Sequence, residues 1–301
     1  MNKLSCLIIA IVVITFSHTA MARINVFACE PEWGSLAKEL GGDDMKIYTA
    51  TTAFQDPHRI EARPSLIAKM RRADLLICSG ADLEIGWLPL LLRSSANKKV
   101  QVGQPGYFEA AMQVERLEVL EKADRSMGDV HIQGNPHVHL DPRRMATIAA
   151  ALTQRLMEID PDNNARYQQR GNDFQSRWHA AMEQWSAKAA PLKGERIVVH
   201  HKDWVYLFDW LGIEEAGTLE SKPGVPPSAS YLAKVLTALE SKPAKKIIYT
   251  SYQSPKPARW LSERAKIPAV QLPFTIGGSD KAKDLFSLMD ETIGLLLKGE
   301  N

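Results

Sequence analysis

Strand signal almost vanishes from this chain between Asp141 and Leu192, and the fold has to be built around that gap. Inside it, "DPRRMATIAAALTQRLMEID" and "PDNNARYQQRGNDFQSRWHAAMEQWSAKAA" both place apolar residues at helical spacing. Each opens on Asp and Pro, which suit the cap and first turn of a helix. The second stretch, about thirty residues long, would run roughly 45 Å at 1.5 Å per residue. A rod of that length is long enough to reach from one domain to another.

On either side of the gap, strands and helices alternate. The first half opens "INVFACEPEW" with a short apolar strand and continues with strands "MKIYTATT" and "DLLICSG", with helical "GSLAKELGG", "RPSLIAKMRRA" and "LEIGWLPLLLRSS" between and after them. The second half offers "ERIVVHH", "KKIIYTS" and "IPAVQL", separated by "SASYLAKVLTALES" and "PKPARWLSERA" and closed by a helix near Asp284 to Leu297. Short apolar strands alternating with helices argue for parallel sheets layered by helices. The expected class is α/β, with two lobes joined by one long rigid helix: residues 23–158 form the N-terminal lobe, 159–192 the linking helix and 193–301 the C-terminal lobe. In such an arrangement ligands bind at loops beyond the carboxyl ends of strands, facing the other lobe.

Residues 1–22, "MNKLSCLIIAIVVITFSHTAMA", carry one lysine, an apolar run from Leu7 to Phe16 and a small-x-small ending, the pattern of an export signal cleaved near Ala22. Cys6 precedes the apolar run, the wrong place for a lipid-anchored cysteine at the cleavage point. No later segment approaches the roughly 20 apolar residues of a membrane span. The expected location is periplasmic. With Lys3 removed, 36 basic residues face 35 acidic ones. That balance offers no electrostatic footprint for nucleic acid or an anionic membrane. Two cysteines remain, Cys29 and Cys78; an oxidising compartment would allow them to pair, but two buried free thiols is the plainer reading.

Seven histidines lie beyond the signal. His179 falls inside the long helix and reads as a surface or packing residue. His58 follows the second strand, His131 precedes "GNPHVHLDP", which carries His137 and His139, and His200 and His201 close the strand "RIVVHH". Loops and strand ends are where an α/β protein mounts functional groups. Imidazole suits zinc, copper and nickel, and three loop histidines would fill most of a tetrahedral zinc shell. None has a local ligand spacing, so each one singly is most simply a hydrogen-bonded surface or core residue.

Taken together, the motifs resemble a known family. "DPHRIEARPSLIAKMRRADLLICSGADLEIGWLPLLL", "GNPHVHLDP" and "HHKDWVYLFDWLGI" are similar, in order, to runs in the metal-binding solute-binding proteins of ABC transporters, the zinc and manganese cluster. The resemblance spans essentially the whole mature chain. It implies a metal site between the two lobes, small lobe motions rather than wide hinge closure, Zn2+ as transported ligand and delivery to an ABC transporter permease in the inner membrane by a monomer. Carried over by motif, it makes His58, His137 and His201 ligands, with His200 an adjacent alternative to His201. His139 stands where the family has tryptophan. The fourth ligand would be a carboxylate from the loop after the last strand, "LPFTIGGSDKAKD", where Asp280 comes first; Glu220 and Asp284 are fallbacks, and Asp280 could instead cap the final helix. Zinc-uptake relatives carry a loop rich in His, Asp and Glu, whereas "ERLEVLEKADRSMGDVHIQG" has only His131. This departure points to weaker capture from solution or to loading by a periplasmic metallochaperone.

Other functions compete. An exported zinc hydrolase would keep an open coordination position and use a general base such as Glu61 or Glu220. The chain has no nucleophile elbow, phosphate-binding glycine loop or metalloprotease helix to support it. A manganese-binding or adhesin-type member of the same fold is the remaining alternative.

Overall fold

The computed structural model describes residues 23–122 and 127–298; the export signal lies outside them. The first lobe runs β1 (Ile24–Ala28), α1 (Pro31–Gly41), β2 (Met45–Thr49), α2 (Pro64–Met70), β3 (Leu75–Cys78), α3 (Leu88–Ser95) and β4 (Tyr107–Glu109). Two helices follow, α4 (Pro142–Ile159) and α5 (Asn164–Ala189). The second lobe runs β5 (Arg196–Val199), α6 (Val205–Leu211), β6 (Glu214–Thr218), α7 (Ala229–Ser241), β7 (Lys246–Thr250), α8 (Lys256–Ala265), β8 (Ala269–Leu272) and α9 (Leu285–Leu297). The sheets have the orders β2-β1-β3-β4 and β6-β5-β7-β8, and every pairing is parallel. The two-lobe α/β architecture is therefore the one expected.

β4 and β6 were not legible as strands, and both lie at sheet edges. The central strands "LLIC" and "KIIYT" are buried throughout and need continuous apolar runs. Edge position alone does not hide a strand, since β2 and β8 at the opposite edges were legible; "YFE" is only three residues long, and the half-exposed "EEAGT" carries two glutamates and a glycine in place of an apolar run.

α5 is 26 residues, about 39 Å at 1.5 Å per residue, shorter than the sequence suggested. Asp160 explains the late start: its carboxylate accepts from Asn163 Nδ2 (2.8 Å) and Tyr167 Oη (2.6 Å), and Pro161–Asn163 winds as a 3-10 turn before the α-helix begins. α4 keeps its expected cap, Asp141, which accepts from the Arg143 amide. The two helices touch closely at Gly171, where a Cβ would sit 2.7 Å from the Thr153 side chain.

One continuous hydrophobic core runs from Ala28 and Ile77 under the first sheet, through Leu152, Trp178 and Trp185, to Val199 and Leu272 in the second. Lobes sharing a large apolar core do not swing freely. The cysteines correct the plainer expectation: Cys29 and Cys78, at the ends of adjacent strands with Cα atoms 4.8 Å apart, are joined as a disulfide. No described helix is long and apolar enough to cross a membrane.

Candidate metal centre

Three of the loop histidines come together. His58 follows β2, His137 precedes the short turn leading into α4, and His201 follows β5; one ring nitrogen from each lies within 4.8 Å of the others. Their ring centroids are 5.7 to 6.4 Å apart. Sequence separation is bridged by backbone locks. Trp87 Nε1 donates to the Pro57 carbonyl (2.9 Å) and pins the His58 loop. Asn135 accepts from the His137 amide (3.1 Å) and donates to the Lys202 carbonyl (2.9 Å), tying two of the histidine loops together. Tyr206 Oη donates to the Asn135 carbonyl (2.6 Å) and fixes both to α6.

Carboxylates orient two of the rings. His58 Nδ1 lies 2.8 Å from Asp56 Oδ1, and His201 Nδ1 lies 2.8 Å from Glu220 Oε2. A carboxylate that accepts from Nδ1–H fixes the tautomer in which Nε2 carries the lone pair, the form that binds a metal ion. His137 is 1% exposed, and its Nδ1 has no hydrogen-bond partner among the described residues. Asp203, fully buried, accepts from Tyr252 Oη (2.9 Å) and Gln253 Nε2 (2.8 Å) and stands 3.7 Å from His137 Nε2.

The electrostatics separate the rings. Burial pushes His137 well below its ordinary pKa, and charge on His58 and His201 adds to this. Burial would also lower His201, but Asp203, Glu220 and Asp56 together raise it to about 9. His131 is held down at about 3 by burial and by the neighbouring His58 and His201. At neutral pH the centre therefore mixes neutral imidazoles with one imidazolium whose proton an incoming cation displaces. The chemistry available is capture of a nitrogen-seeking divalent ion inside a ring of outer carboxylates.

The remaining expected residues are placed elsewhere. His200 is buried beside His201 but outside the cluster, with Nε2 3.8 Å from Glu220. His139 sits between Glu32 (Nδ1 to Oε1, 3.3 Å) and the Phe274 carbonyl (Nε2 to O, 2.9 Å). His179 is on α5 with its Nδ1 2.7 Å from the Gln175 carbonyl. Glu220 is a partner of His201 and of the Gly224 amide (2.8 Å). Asp284 caps α9 through a capping box with Ser287.

Asp280 is not brought to the cluster. Its loop closes on itself, with Gly277 N donating to the Ala282 carbonyl (2.7 Å) and Gly278 N to Thr275 (3.0 Å), and it leaves Asp280 exposed. Ile276 and Gly277 line a cavity of about 760 Å³ against Thr51–Phe54, away from the histidines. What the segment sends toward the centre is Phe274, whose ring packs against His137 (5.1 Å) and His139 (5.0 Å). Sequence reasoning missed Asp56, Asp203, Asn135 and the placement of His131. Asp56 and Asn135 were visible as parts of the "DPH" and "NPH" motifs, while Asp203 gave no signal.

Comparison with known proteins gives the family and the fold. Residues 26–299 match the family described as ZnuA, zinc-uptake complex component A periplasmic. A manganese ABC transporter substrate-binding lipoprotein, scaA of Streptococcus gordonii, is 21% identical over 291 residues, 94% of this chain and 91% of that protein. The high-affinity zinc uptake system protein ZnuA of Bacillus subtilis is 23% identical over 231 residues, 75% of this chain and 69% of that one. A crystal structure of ZnuA superimposes with a TM-score of 0.74 at 20% identity, covering 91% of this chain and 99% of that chain. The chain thus belongs to the ZnuA family of metal-binding solute-binding proteins of ABC transporters.

Proposed function

We propose that this protein captures Zn2+ on the cell-exterior side of the inner membrane and delivers it to an ABC permease. The observation that carries the reading is the convergence of His58, His137 and His201, two of them turned by Asp56 and Glu220. Zinc with bonds of about 2.0–2.1 Å sets its ligand nitrogens about 3.3 Å apart in a tetrahedron. Rings now within 4.8 Å need only small inward shifts, which a shared core permits. Imidazole-rich donors favour zinc over manganese, which prefers carboxylate oxygen.

His58 belongs to the first lobe, His201 to the second, and His137 enters from the segment before α4. A permease that shifts one lobe slightly against the other pulls such a shell apart and releases the ion. The protein acts as a periplasmic monomer after loss of its signal, and a metallochaperone supplies the metal where free zinc is scarce.

Metal analysis of the mature protein, with thermal unfolding before and after a strong chelator and after restoring zinc or manganese, tests the reading. One equivalent of zinc with a zinc-specific rise in midpoint is expected, because a ligand held only by the folded state stabilises it. No metal and no shift with either ion would overturn the proposal.

A further inference from the structure

We propose that His131 is a fourth zinc ligand and that the turn carrying it, residues 128–134, is the arm that holds it beside the ion. The inference rests on the zinc reading above and adds a residue to it. His131 Nε2 lies 3.2 Å from His58 Nε2, with the rings stacked at 29° and centroids 5.2 Å apart. Asp56 accepts from His58 Nδ1–H, which leaves His58 Nε2 its lone pair; without the ion, His131 Nε2–H donates to that lone pair and gives up its proton when it binds the metal. The 3.2 Å spacing is close to the edge of about 3.3 Å between two nitrogens on tetrahedral zinc. The His131 and His58 Nε2 atoms are spaced as two ligands of one ion would be, although His131 stands outside the 4.8 Å cluster and has to move toward His137 and His201 to complete the shell. His131 also lines, with His137 and His201, a single cavity of about 580 Å³.

The arm is seated rather than loose. Asp129 N donates to the Pro223 carbonyl (2.8 Å), and Arg59, next to His58 in sequence, donates to both Asp129 Oδ2 (3.2 Å) and the Gly224 carbonyl (3.0 Å). Gly128 and Gly224 have φ of +89° and +73°, and a Cβ on either would lie 2.2 Å or less from the opposite segment. Only glycines let the two loops meet so closely. Gly224 N in turn donates to Glu220, the carboxylate that orients His201. Ligands from both lobes are thereby tied to the arm.

With Asp280 turned to solvent, His131 supplies the donor that the carboxylate was expected to give. Four imidazoles make a shell biased further toward zinc and away from manganese.

The test compares the wild type with His131→Ala, His131→Gln and His131→Asp, using X-ray absorption of the zinc form, visible absorption of the Co2+ form, and zinc and manganese titrations. Expected for the wild type are four nitrogen neighbours. In the Ala and Gln variants one imidazole is lost from the shell, the Co2+ bands shift, and zinc binds about 10-fold or more weakly at unchanged one-to-one stoichiometry. His131→Asp retains a four-donor shell and narrows the preference for zinc over manganese. An unchanged imidazole count and Co2+ spectrum in both the Ala and Gln variants would overturn the proposal, even if affinity fell. A wild type that binds no zinc overturns the zinc reading itself, a result separable from the first.

Discussion

Glu220 accepts a hydrogen bond from His201 Nδ1 at 2.8 Å, and by holding that proton it aims the other ring nitrogen at His58 and His137. Such outer partners of ligand histidines are commonly worth 10–100-fold in metal affinity. Glu220→Gln keeps the shape and removes the charge, so zinc should bind about 10-fold more weakly at unchanged stoichiometry. Isothermal titration against a competing chelator measures this, and an unaltered affinity would show that His201 needs no such partner.

The three converging histidines and the helical one should separate cleanly. His58→Ala and His201→Ala each remove a ligand and should weaken zinc binding by about 100-fold or more, beyond the 10–100-fold of an outer partner. His179, exposed on α5, should be replaceable by Ala with no change. Competitive titration of the three variants side by side is the check, and a loss in His179→Ala would argue against the site's location.

A pair of buried acids makes stability depend on pH. Burial pushes Glu84 up to about 7, and burial together with the charges of Glu84 and Glu32 pushes Glu30 well above its ordinary value. Glu84 accepts from the Ser79 and Gly80 amides (2.8 and 3.1 Å), so Glu30 carries the shared proton. A carboxyl whose folded pKa is raised gives stability that is complete below its unfolded value and lost as pH rises through the folded one. The urea midpoint of metal-free protein should therefore fall between about pH 5 and pH 8. Glu30→Gln, which imitates the protonated form, should flatten that fall. An equal slope in variant and wild type would count against the shared proton.

The disulfide between Cys29 and Cys78 closes a loop of sequence separation 49. Chain-entropy reasoning puts a loop of this size at about 4 kcal/mol. Replacing both cysteines with Ala should cost on the order of 2–4 kcal/mol in urea unfolding, while zinc stoichiometry stays at one. No loss of stability would mean that the unfolded chain is already restricted.

Much of the fold and part of the site were legible along the chain. Periodicity alone separated two alternating segments from the long helical stretch, because central strands and amphipathic helices write their burial into consecutive residues. β4 and β6 escaped because "YFE" is too short to show a period and "EEAGT" has two glutamates and a glycine where a pattern would need apolar residues. His58, His137 and His201 were singled out by the resemblance of their motifs to a known family, since no local ligand spacing marks them; Asp56 and Asn135, which hold the His58 and His137 amides, belong to those motifs.

Tertiary structure alone decided which neighbour of a pair faces the centre, and which carboxylate does what. Only the motif resemblance favoured His201 over the adjacent His200, and it favoured Asp280 over Glu220, which was a fallback. In the structure β5 ends with His201 against Glu220, and the 275–284 loop leaves Asp280 in water. His131 is 73 residues from His58 in the chain and 3.2 Å from it in space. Helices and strands follow from interactions over a few residues, but histidines from separate loops meet only once the two sheets have packed on a common core.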